Sequence, residues 1–158
     1  CIRSVANFNG YWENEEATQA AFTSDGYFRT GDIGYLDEDG YLFIVDRKKD
    51  IIIRGGENIS CPEVEAAAYE HDAVAELSVF GIADDRYGEV PGLVYFTKEG
   101  SELSPDELKS FLQAKLAPFK VPVHFWRVHE PLPRLGTQKI DRGTLRREYN
   151  AKVKELED

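Results

Sequence analysis

The sequence predicts an α+β fold, in which helices pack on a small, three-stranded type of sheet, with a β-hairpin preceding this domain. From residue 51 onward, short β-branched and aromatic runs alternate with amphipathic segments that carry helix-capping residues. A hairpin pattern occupies residues 33–45, and five consecutive charged residues at 46–50 separate it from the rest. With 42% apolar and 12% aromatic residues among 158, the chain can bury a hydrophobic core.

The first 45 residues are predicted to be the end of a larger domain. Residues 10–23 have the pattern of a short amphipathic helix, and residues 33–45 that of two strands around the turn DEDG at 37–40. Two strands alone are at best marginally stable in water. We therefore expect residues 1–45 to be incomplete as a domain.

The charged run DRKKD at 46–50 predicts a boundary between two domains. Such a run is most often a solvated loop, and that interpretation is the alternative to a functional one. The glycine pair that follows at 55–56 marks a turn within the next domain.

Residues 51–158 are predicted to form a small domain of alternating strands and helices. The predicted elements are a strand at 51–54, a turn at 55–58, a helix at 60–72, strands at 74–82 and 92–97 around a polar turn at 83–91, a helix at 104–116, a strand at 123–128 and a helix at 143–156.

The helix signals are specific. Ser104 is expected to cap its helix, with Pro105 in the first helical position and Glu107 at capping-box spacing. Ser60 or Cys61 is expected to lie near the cap of the preceding helix.

Charge and hydropathy exclude some classes of protein. The formal charge of −10 and the isoelectric point near 4.8 argue against a general nucleic-acid binder. The longest apolar runs, at 41–45 and 50–54, are too short for a transmembrane segment. Cys1 and Cys61 form no CxxC pair, which favours a reduced, cytoplasmic setting.

Motif spacing excludes further sites. The glycines at 55–56 lack GxGxxG spacing, and the sequence contains no Walker-type phosphate loop. The DEDG turn lacks the remaining ligands of a calcium loop, and the three histidines have no metal-like spacing. The sequence therefore predicts no metal site within these residues.

Three residues stand out by their chemistry. The carboxylate of Asp32, in TGD, can accept hydrogen bonds from two neighbouring hydroxyl groups, as a ribose presents them. The guanidinium of Arg47 can bind phosphate or ribose oxygens. Lys139 lies on a polar loop among Arg134, Arg142, Arg146 and Arg147, where its ammonium is suited to meeting developing negative charge. Each is also compatible with an ordinary solvated side chain.

Together, the ordered motifs of the segments 26–65 and 132–146 resemble the adenylate-forming superfamily of acyl-CoA synthetases, peptide-synthetase adenylation domains and luciferases. The resemblance covers essentially the whole chain. It implies the last stretch of a large N-terminal domain at 1–45, a hinge at 46–50 and the C-terminal lid domain at 51–158. The similarity is greatest to synthetases that act on fatty or related carboxylic acids.

The resemblance implies roles in ATP-dependent acyl-adenylate formation. Asp32 is the expected ligand of the ribose hydroxyls, Arg47 lies near ribose or phosphates, and Lys49 occupies the hinge position. Lys139 matches the lysine that reaches the α-phosphate and the substrate carboxylate. The family usually has glycine directly before this lysine, where this chain has Gln138.

For the thiol step, the resemblance implies that the turn Gly55, Gly56 and Glu57 lines a pantetheine tunnel. The segments RYG at 86–88 and FKVP at 119–122 correspond to positions where the CoA nucleotide is held. We expect Tyr87 and Phe119 to stack on adenine and Lys120 to lie near a phosphate; packing of Phe119 in the core is the alternative.

The implied enzyme is a cytoplasmic AMP-forming acid–thiol ligase with ATP, CoA and Mg²⁺ as cofactors and a carboxylic acid as substrate. Its phosphate loop, magnesium ligands and acyl pocket are expected upstream, in the remainder of the N-terminal domain, so this piece alone is expected to be inactive. Two alternatives are an adenylation domain that loads the pantetheine arm of a carrier protein, and a non-catalytic interaction module that kept the fold.

Overall fold

The computed structural model describes residues 1–157. The chain divides into two compact units, one comprising Cys1–Lys49 and the other beginning at Asp50. This division falls within the charged segment 46–50.

The first unit contains helix α1 (Glu15–Ala21) and a hairpin of strands β1 (Asp32–Leu36) and β2 (Leu42–Arg47). Helix α1 is shorter than the helix predicted at 10–23, because Asn14 caps it by accepting a hydrogen bond from the N–H of Ala17 at 3.0 Å. The hairpin closes through the predicted turn, where the Asp37 carboxylate accepts the N–H of Tyr41 at 2.8 Å.

The hairpin of the first unit has no apolar core of its own. Among residues 1–49, Asp46 alone is buried. Neighbouring apolar side chains, which point alternately to the two faces, are 46–66% exposed: Tyr35, Leu36, Leu42, Phe43, Ile44 and Val45. A two-stranded sheet of this kind becomes stable only when further structure covers one of its faces.

The second unit consists of a five-stranded sheet and three helices. Its elements are β3 (Ile51–Arg54), β4 (Glu57–Ser60), α2 (Cys61–Tyr69), β5 (Val74–Asp84), β6 (Gly88–Thr97), α3 (Pro105–Gln113), β7 (His124–Val128) and α4 (Arg142–Glu157). Short 3-10 turns at Lys48–Asp50 and Pro118–Lys120 precede β3 and β7.

Strand β6 lies at the centre of this sheet. Strand β5 pairs with it antiparallel along one edge, from Val74 opposite Thr97 to Asp84 opposite Gly88. Along its other edge, β6 pairs with two strands. Strand β7 runs parallel to it, and β3 pairs with its first residue, Arg54 lying opposite Gly88. Strand β4 pairs antiparallel with β3 and forms the outer edge.

Two hydrophobic clusters cover the two faces of the sheet. Because side chains alternate along a strand, Leu77 and Val79 of β5 belong to one cluster and Phe80 and Ile82 to the other. Helices α2 and α3 complete the first cluster with Val64, Ala67, Ala68, Leu108 and Leu112; α4 completes the second with Leu145, Tyr149 and Val153. Full burial of each such aliphatic side chain contributes about 1.5–3 kcal/mol.

The predicted α+β class is confirmed, and the sheet has five strands rather than three. The predicted turn at 55–58 is confined to Gly55 and Gly56, whose φ angles are +58° and +93°. Two successive residues with positive φ make a tight hairpin turn, so Glu57 already begins strand β4.

The predicted helix caps are confirmed. Ser104 Oγ accepts the N–H of Glu107 at 3.3 Å, and the Glu107 carboxylate accepts the N–H of Ser104 at 2.8 Å. Ser60, rather than Cys61, caps α2. Among residues 1–157, no helix combines the length and apolar character needed to cross a bilayer.

Candidate functional site

Asp32 and Arg47 lie opposite each other at the open end of the first hairpin, where β1 begins and β2 ends. The Arg47 Nε atom is 3.4 Å from Asp32 Oδ1, with the side chains 56% and 29% exposed. The N–H of Asp32 donates to Thr30 Oγ1 at 3.2 Å, which fixes the backbone beneath the carboxylate. The structure thus places the carboxylate and guanidinium predicted to bind ribose and phosphate side by side.

A cavity of about 610 Å³ adjoins this pair. It is lined by Thr30, Gly31, Arg47, Lys48 and Lys49. The N–H of Lys48 donates to the Gly31 carbonyl at 2.8 Å, so this hydrogen bond joins the two segments that line the cavity. Three of its five lining residues are cationic, so the cavity suits a polyanionic ligand such as a nucleotide phosphate.

Lys139 lies on a tight turn directly before α4. The N–H of Leu135 donates to the Lys139 carbonyl at 2.8 Å, and that of Gln138 donates to the Leu135 carbonyl at 2.9 Å. The Lys139 side chain is exposed, and within residues 1–157 it forms no side-chain hydrogen bond or ion pair. The turn therefore presents an ammonium group on a fixed backbone.

Gln138 adopts the left-handed conformation that glycine usually supplies. Its φ angle is +66°, which costs a residue with a side chain about 1–2 kcal/mol. Arg134 offsets part of this cost, because its Nη1 donates to the Gln138 carbonyl at 2.7 Å and its other amino group pairs with Glu76. The departure from glycine at this position thus leaves the turn intact.

The turn at Gly55 and Gly56 contacts Tyr87, which follows β5. The Gly55 N–H donates to the Tyr87 carbonyl at 2.8 Å, and a Cβ atom at position 55 would lie 3.2 Å from the Tyr87 ring. The Arg54 guanidinium lies over that ring, 4.3 Å from its centroid. The structure therefore brings together three of the residues expected in the thiol step, while Glu57 is exposed at the start of β4.

Phe119 and Lys120 lie on the 3-10 turn before β7. Phe119 is half-buried against the cluster formed by α2 and α3, as the core alternative held. The Lys120 ammonium binds the Glu63 carboxylate, with a distance of 2.8 Å to Oε2. This ion pair could not be predicted from the sequence, because it joins residues far apart in the chain.

Tyr87 and Phe119 pack against different clusters, one on each face of the sheet. The structure thus does not join the two rings into one stacking platform. Stacking of adenine on either ring stays a prediction.

An ion-pair network follows the Lys139 turn in the structure and was not predicted from the sequence. Arg142 bridges the carboxylates of Asp50 and Glu65. The sequence shows Asp50 in the DRKKD run and Arg142 beside the lysine loop. It does not show that they are close in space, because only the folded sheet brings these distant segments together.

The described residues offer no site for a metal ion. Within residues 1–157, no group of three or more His, Cys, Asp or Glu side chains is arranged to hold one. Asp32 pairs with an arginine, whose positive charge disfavours a cation beside the same carboxylate.

Comparison with known proteins identifies the domain. Residues 63–139 match the family described as "AMP-binding enzyme C-terminal domain". The chain is 46% identical over 136 residues to 2-succinylbenzoate–CoA ligase of Bacillus velezensis, covering 86% of the chain and 27% of that protein. It is 45% identical over 144 residues to a long-chain-fatty-acid–CoA ligase of Bacillus subtilis, covering 91% and 25%.

A solved structure agrees with this match. ATP-bound MatB from Rhodopseudomonas palustris superposes with a TM-score of 0.80 at 34% identity, over 90% of this chain and 28% of that one. Fold and site thus define an AMP-binding C-terminal domain. The chain belongs to the adenylate-forming superfamily and contains the C-terminal domain of its CoA ligases, which confirms the resemblance.

Proposed function

We propose that the chain is part of an ATP-dependent carboxylic acid:CoA ligase, which forms an acyl-adenylate and then an acyl-CoA thioester. Residues 51–158 act as its C-terminal lid, 46–50 as the hinge and 1–45 as the end of the N-terminal domain. The observation that carries the proposal is the Lys139 ammonium, which is exposed on an anchored turn and has no ion-pair partner among residues 1–157.

Lys139 serves the adenylation step. A carboxylate oxygen of the acid bonds to the α-phosphorus of ATP while the bond to the pyrophosphate oxygen breaks. Two anions approach each other in this step, and a positioned ammonium offsets their repulsion. By analogy with the loss of one oxyanion donor, removing Lys139 slows adenylation by about 10²–10³-fold.

Asp32 and Arg47 hold the nucleotide in this proposal. The partly exposed Asp32 carboxylate accepts ribose hydroxyls, while Arg47 and its lysine neighbours in the cavity wall attract phosphate. The cationic lining of the cavity supports this assignment.

Lys49 is the proposed hinge residue. The division between the two compact units falls between Lys49 and Asp50 in the chain, and Lys49 is exposed. A hinge must stay solvated while its backbone angles change between two half-reactions, and a run of charged residues meets that need.

The turn of Gly55, Gly56 and Glu57 faces the pantetheine arm in the thiol step. Two side-chain-free positions leave room for a slender chain to pass the backbone. Tyr87 contacts this turn. In the same step, the CoA nucleotide is contacted by Tyr87, Phe119 and Lys120.

The proposed acid is a fatty or related carboxylic acid, a choice supported by the likeness to a long-chain-fatty-acid–CoA ligase. The likeness to a 2-succinylbenzoate ligase makes an aromatic acid the main competitor in any substrate panel. Magnesium binds with ATP through upstream residues. The cytoplasm, where ATP and CoA are supplied, is the proposed location.

Acid-dependent exchange of pyrophosphate into ATP tests the proposal in the full-length protein. We expect exchange with at least one fatty or aromatic acid, and a loss of about 10²–10³-fold in Lys139→Ala. Lys109→Ala is the matched control, since Lys109 is exposed on α3 and likewise lacks an ion-pair partner among the described residues. Equal exchange in native protein and Lys139→Ala would remove the lysine from its role.

The chain by itself gives a second test. Residues 1–158 purified alone are expected to form no acyl-CoA, since the phosphate loop and acyl pocket are proposed to lie upstream. Acyl-CoA formation by this piece would contradict the proposed division of the active site.

A further inference from the structure

Arg142, the first residue of α4, joins two carboxylates from distant parts of the chain. Its Nη1 lies 3.0 Å from Asp50 Oδ2, and its Nη2 lies 2.7 and 2.9 Å from the two oxygens of Glu65. Its Nε approaches Ser78 Oγ at 3.5 Å. The guanidinium is therefore held on all of its nitrogen atoms.

The two carboxylates mark two different points of the fold. Asp50 directly follows Lys49, so it is the last residue of the charged segment 46–50. Glu65 lies on α2, and its Oε1 also accepts the N–H of Val79 in β5 at 2.8 Å. Arg142 thus connects the end of the charged segment to the start of α4 and, through Glu65, to α2 and β5.

This arrangement is unfavourable by local rules. A cation in the first turn of a helix opposes the helix dipole. Asp50 and Glu65 are each only 16% exposed, and burial raises the pKa of the Glu65 carboxyl even though Arg142 and the Val79 N–H oppose this shift. Buried ion pairs of this kind contribute little net stability, so a positional role is the better explanation.

The Lys139 turn is held by hydrogen bonds or ion pairs on both of its sides. On the side before the turn, Glu76 of β5 accepts the N–H of Leu132 at 2.9 Å and pairs with Arg134. On the side after it, the N–H of Asp141 donates to the Pro133 carbonyl at 2.8 Å, and Arg142 follows. Lys139 therefore lies three residues from a guanidinium that is fixed to both α2 and Asp50.

We propose that Arg142 is a positioning residue for adenylation: by bridging Asp50 and Glu65, it fixes the Lys139 turn to the point where the chain leaves the charged segment. Rotation about that segment then delivers Lys139 with the lid as one body. The effect of Arg142 on adenylation rests on the proposed function. Its effect on the position of the Lys139 turn rests on the ion pairs alone.

The test measures both half-reactions in the full-length protein with Arg142→Gln. We expect adenylation to fall by about tenfold or more, because displacing a catalytic group by about 1 Å costs up to about 10²-fold. Thioester formation from added acyl-adenylate should stay within about twofold, since Lys139 has no part in it. Arg142→Lys should restore part of the loss, because one ammonium can pair with only one of the two carboxylates at good geometry.

Arg127→Gln is the matched control. Arg127 is also an ion-paired arginine of similar exposure, 22% against 28%, and it binds Glu102 away from the Lys139 turn. It should leave adenylation within about twofold of native. A similar loss in both arginine variants would show a general effect on folding and overturn the inference.

A double-mutant comparison separates positioning from general support. If Arg142 acts through Lys139, then Arg142→Gln should change adenylation by less than about twofold in a Lys139→Ala background. A full, additive loss in that background, or equal losses in both half-reactions of the single variant, would overturn the inference.

Hydrogen exchange tests the structural part without any activity. The amide N–H groups of Leu135, Gln138 and Asp141 close the turn, so their exchange should accelerate in Arg142→Gln but not in Arg127→Gln. Unchanged exchange in Arg142→Gln would overturn the positioning role. Absence of adenylation by the native protein with every acid would instead refute the proposed function, and the exchange result would still decide the role of Arg142.

Discussion

Asp32 and Arg47 are cross-strand partners, with a carboxylate oxygen and the guanidinium Nε 3.4 Å apart. Arg47 is exposed and Asp32 partly exposed, and ion pairs at the surface typically contribute between 0 and about 1 kcal/mol of stability. Its geometry is therefore better explained by the ligand it can hold than by the stability it supplies. The carboxylate is 29% exposed beside Arg47, and the arginine itself lines a cationic cavity.

The first prediction concerns the ribose. If Asp32 accepts both ribose hydroxyls, the native protein should use ATP better than 2′-deoxy-ATP by about tenfold or more, since a hydrogen bond to a charged group contributes about 1.5–3 kcal/mol. Asp32→Asn should lower kcat/KM for ATP and reduce this preference. Pyrophosphate exchange with each nucleotide measures both quantities.

Asp39→Asn is the control for that experiment. Asp39 is exposed at the tip of the hairpin turn, where its N–H donates to the Asp37 carboxylate. The variant should keep the native preference for ATP. An Asp32→Asn protein that discriminates the two nucleotides as well as native would exclude the carboxylate from ribose recognition.

The second prediction concerns the strained turn before Lys139. Gln138→Gly should leave the free energy of unfolding unchanged or raise it by up to about 1 kcal/mol, because relief of the left-handed strain is offset by greater freedom of the unfolded chain. Gln138→Val should lower it by about 1–2 kcal/mol, since a β-branched residue tolerates positive φ poorly. Urea unfolding measures both changes.

Thr137→Gly supplies the comparison for the same turn. Thr137 is the preceding residue and does not have a positive φ, so glycine there adds unfolded-state entropy without relieving strain. We expect this variant to be less stable than native by about 0.5–1 kcal/mol. If both glycine variants were destabilised equally, the +66° conformation of Gln138 would not be the native one.

Much of the fold could be predicted because its signals are local. Ser104 and Glu107 are three residues apart, and the cap they predict forms as expected. Strand β4 could not be predicted in this way. Its four residues show no strand periodicity, and they are extended because they pair with β3.

The candidate site could be predicted residue by residue but not as an arrangement. The register that sets Asp32 opposite Arg47 depends on a bulge near Ile33, which side-chain alternation does not reveal. The bridge from Arg142 to Asp50 spans most of the second unit, and only the assembled sheet brings its ends together. Motif order predicts the candidate residues, whereas long-range packing decides which side chains they contact in the structure.

The third prediction is a pH dependence of stability. Tyr95 is fully buried and its hydroxyl donates to the Leu103 carbonyl at 2.8 Å; burial raises the pKa of this phenol from 10.0 to about 12. A pKa raised on folding means that the folded state favours the protonated phenol. Its contribution to stability is therefore complete below about pH 10 and is lost as the pH rises from 10 towards 12.

Tyr95→Phe tests this contribution. At neutral pH the variant should be less stable by about 1–2 kcal/mol, because it leaves the buried Leu103 carbonyl without its partner. Between pH 10 and 12 the difference between the native protein and the variant should shrink, as followed by urea midpoints. A constant difference across this range would mean that the Tyr95 phenol does not titrate differently in the folded state.

The last prediction separates the thiol step from adenylation at Gly55. An added Cβ at this position would lie 3.2 Å from Tyr87 Cδ1, and the residue has a φ of +58°. Gly55→Ala should therefore displace the tyrosine ring or the turn, and thioester formation should fall by about tenfold, as expected for a small displacement of a substrate-positioning group. If the turn serves only the thiol step, as proposed, adenylation should stay within about twofold of native.

Gly100→Ala controls for backbone strain alone. Gly100 also has a positive φ, +75°, but a Cβ there would meet nothing within 4 Å. Both alanine variants should lose about 1 kcal/mol of stability from the left-handed conformation, whereas only Gly55→Ala should slow the transfer of the acyl group to CoA. Stability comes from urea unfolding, and the two half-reactions are measured separately. If Gly55→Ala slowed adenylation as much as acyl transfer, the turn would serve both steps, and its assignment to the pantetheine arm alone would be wrong.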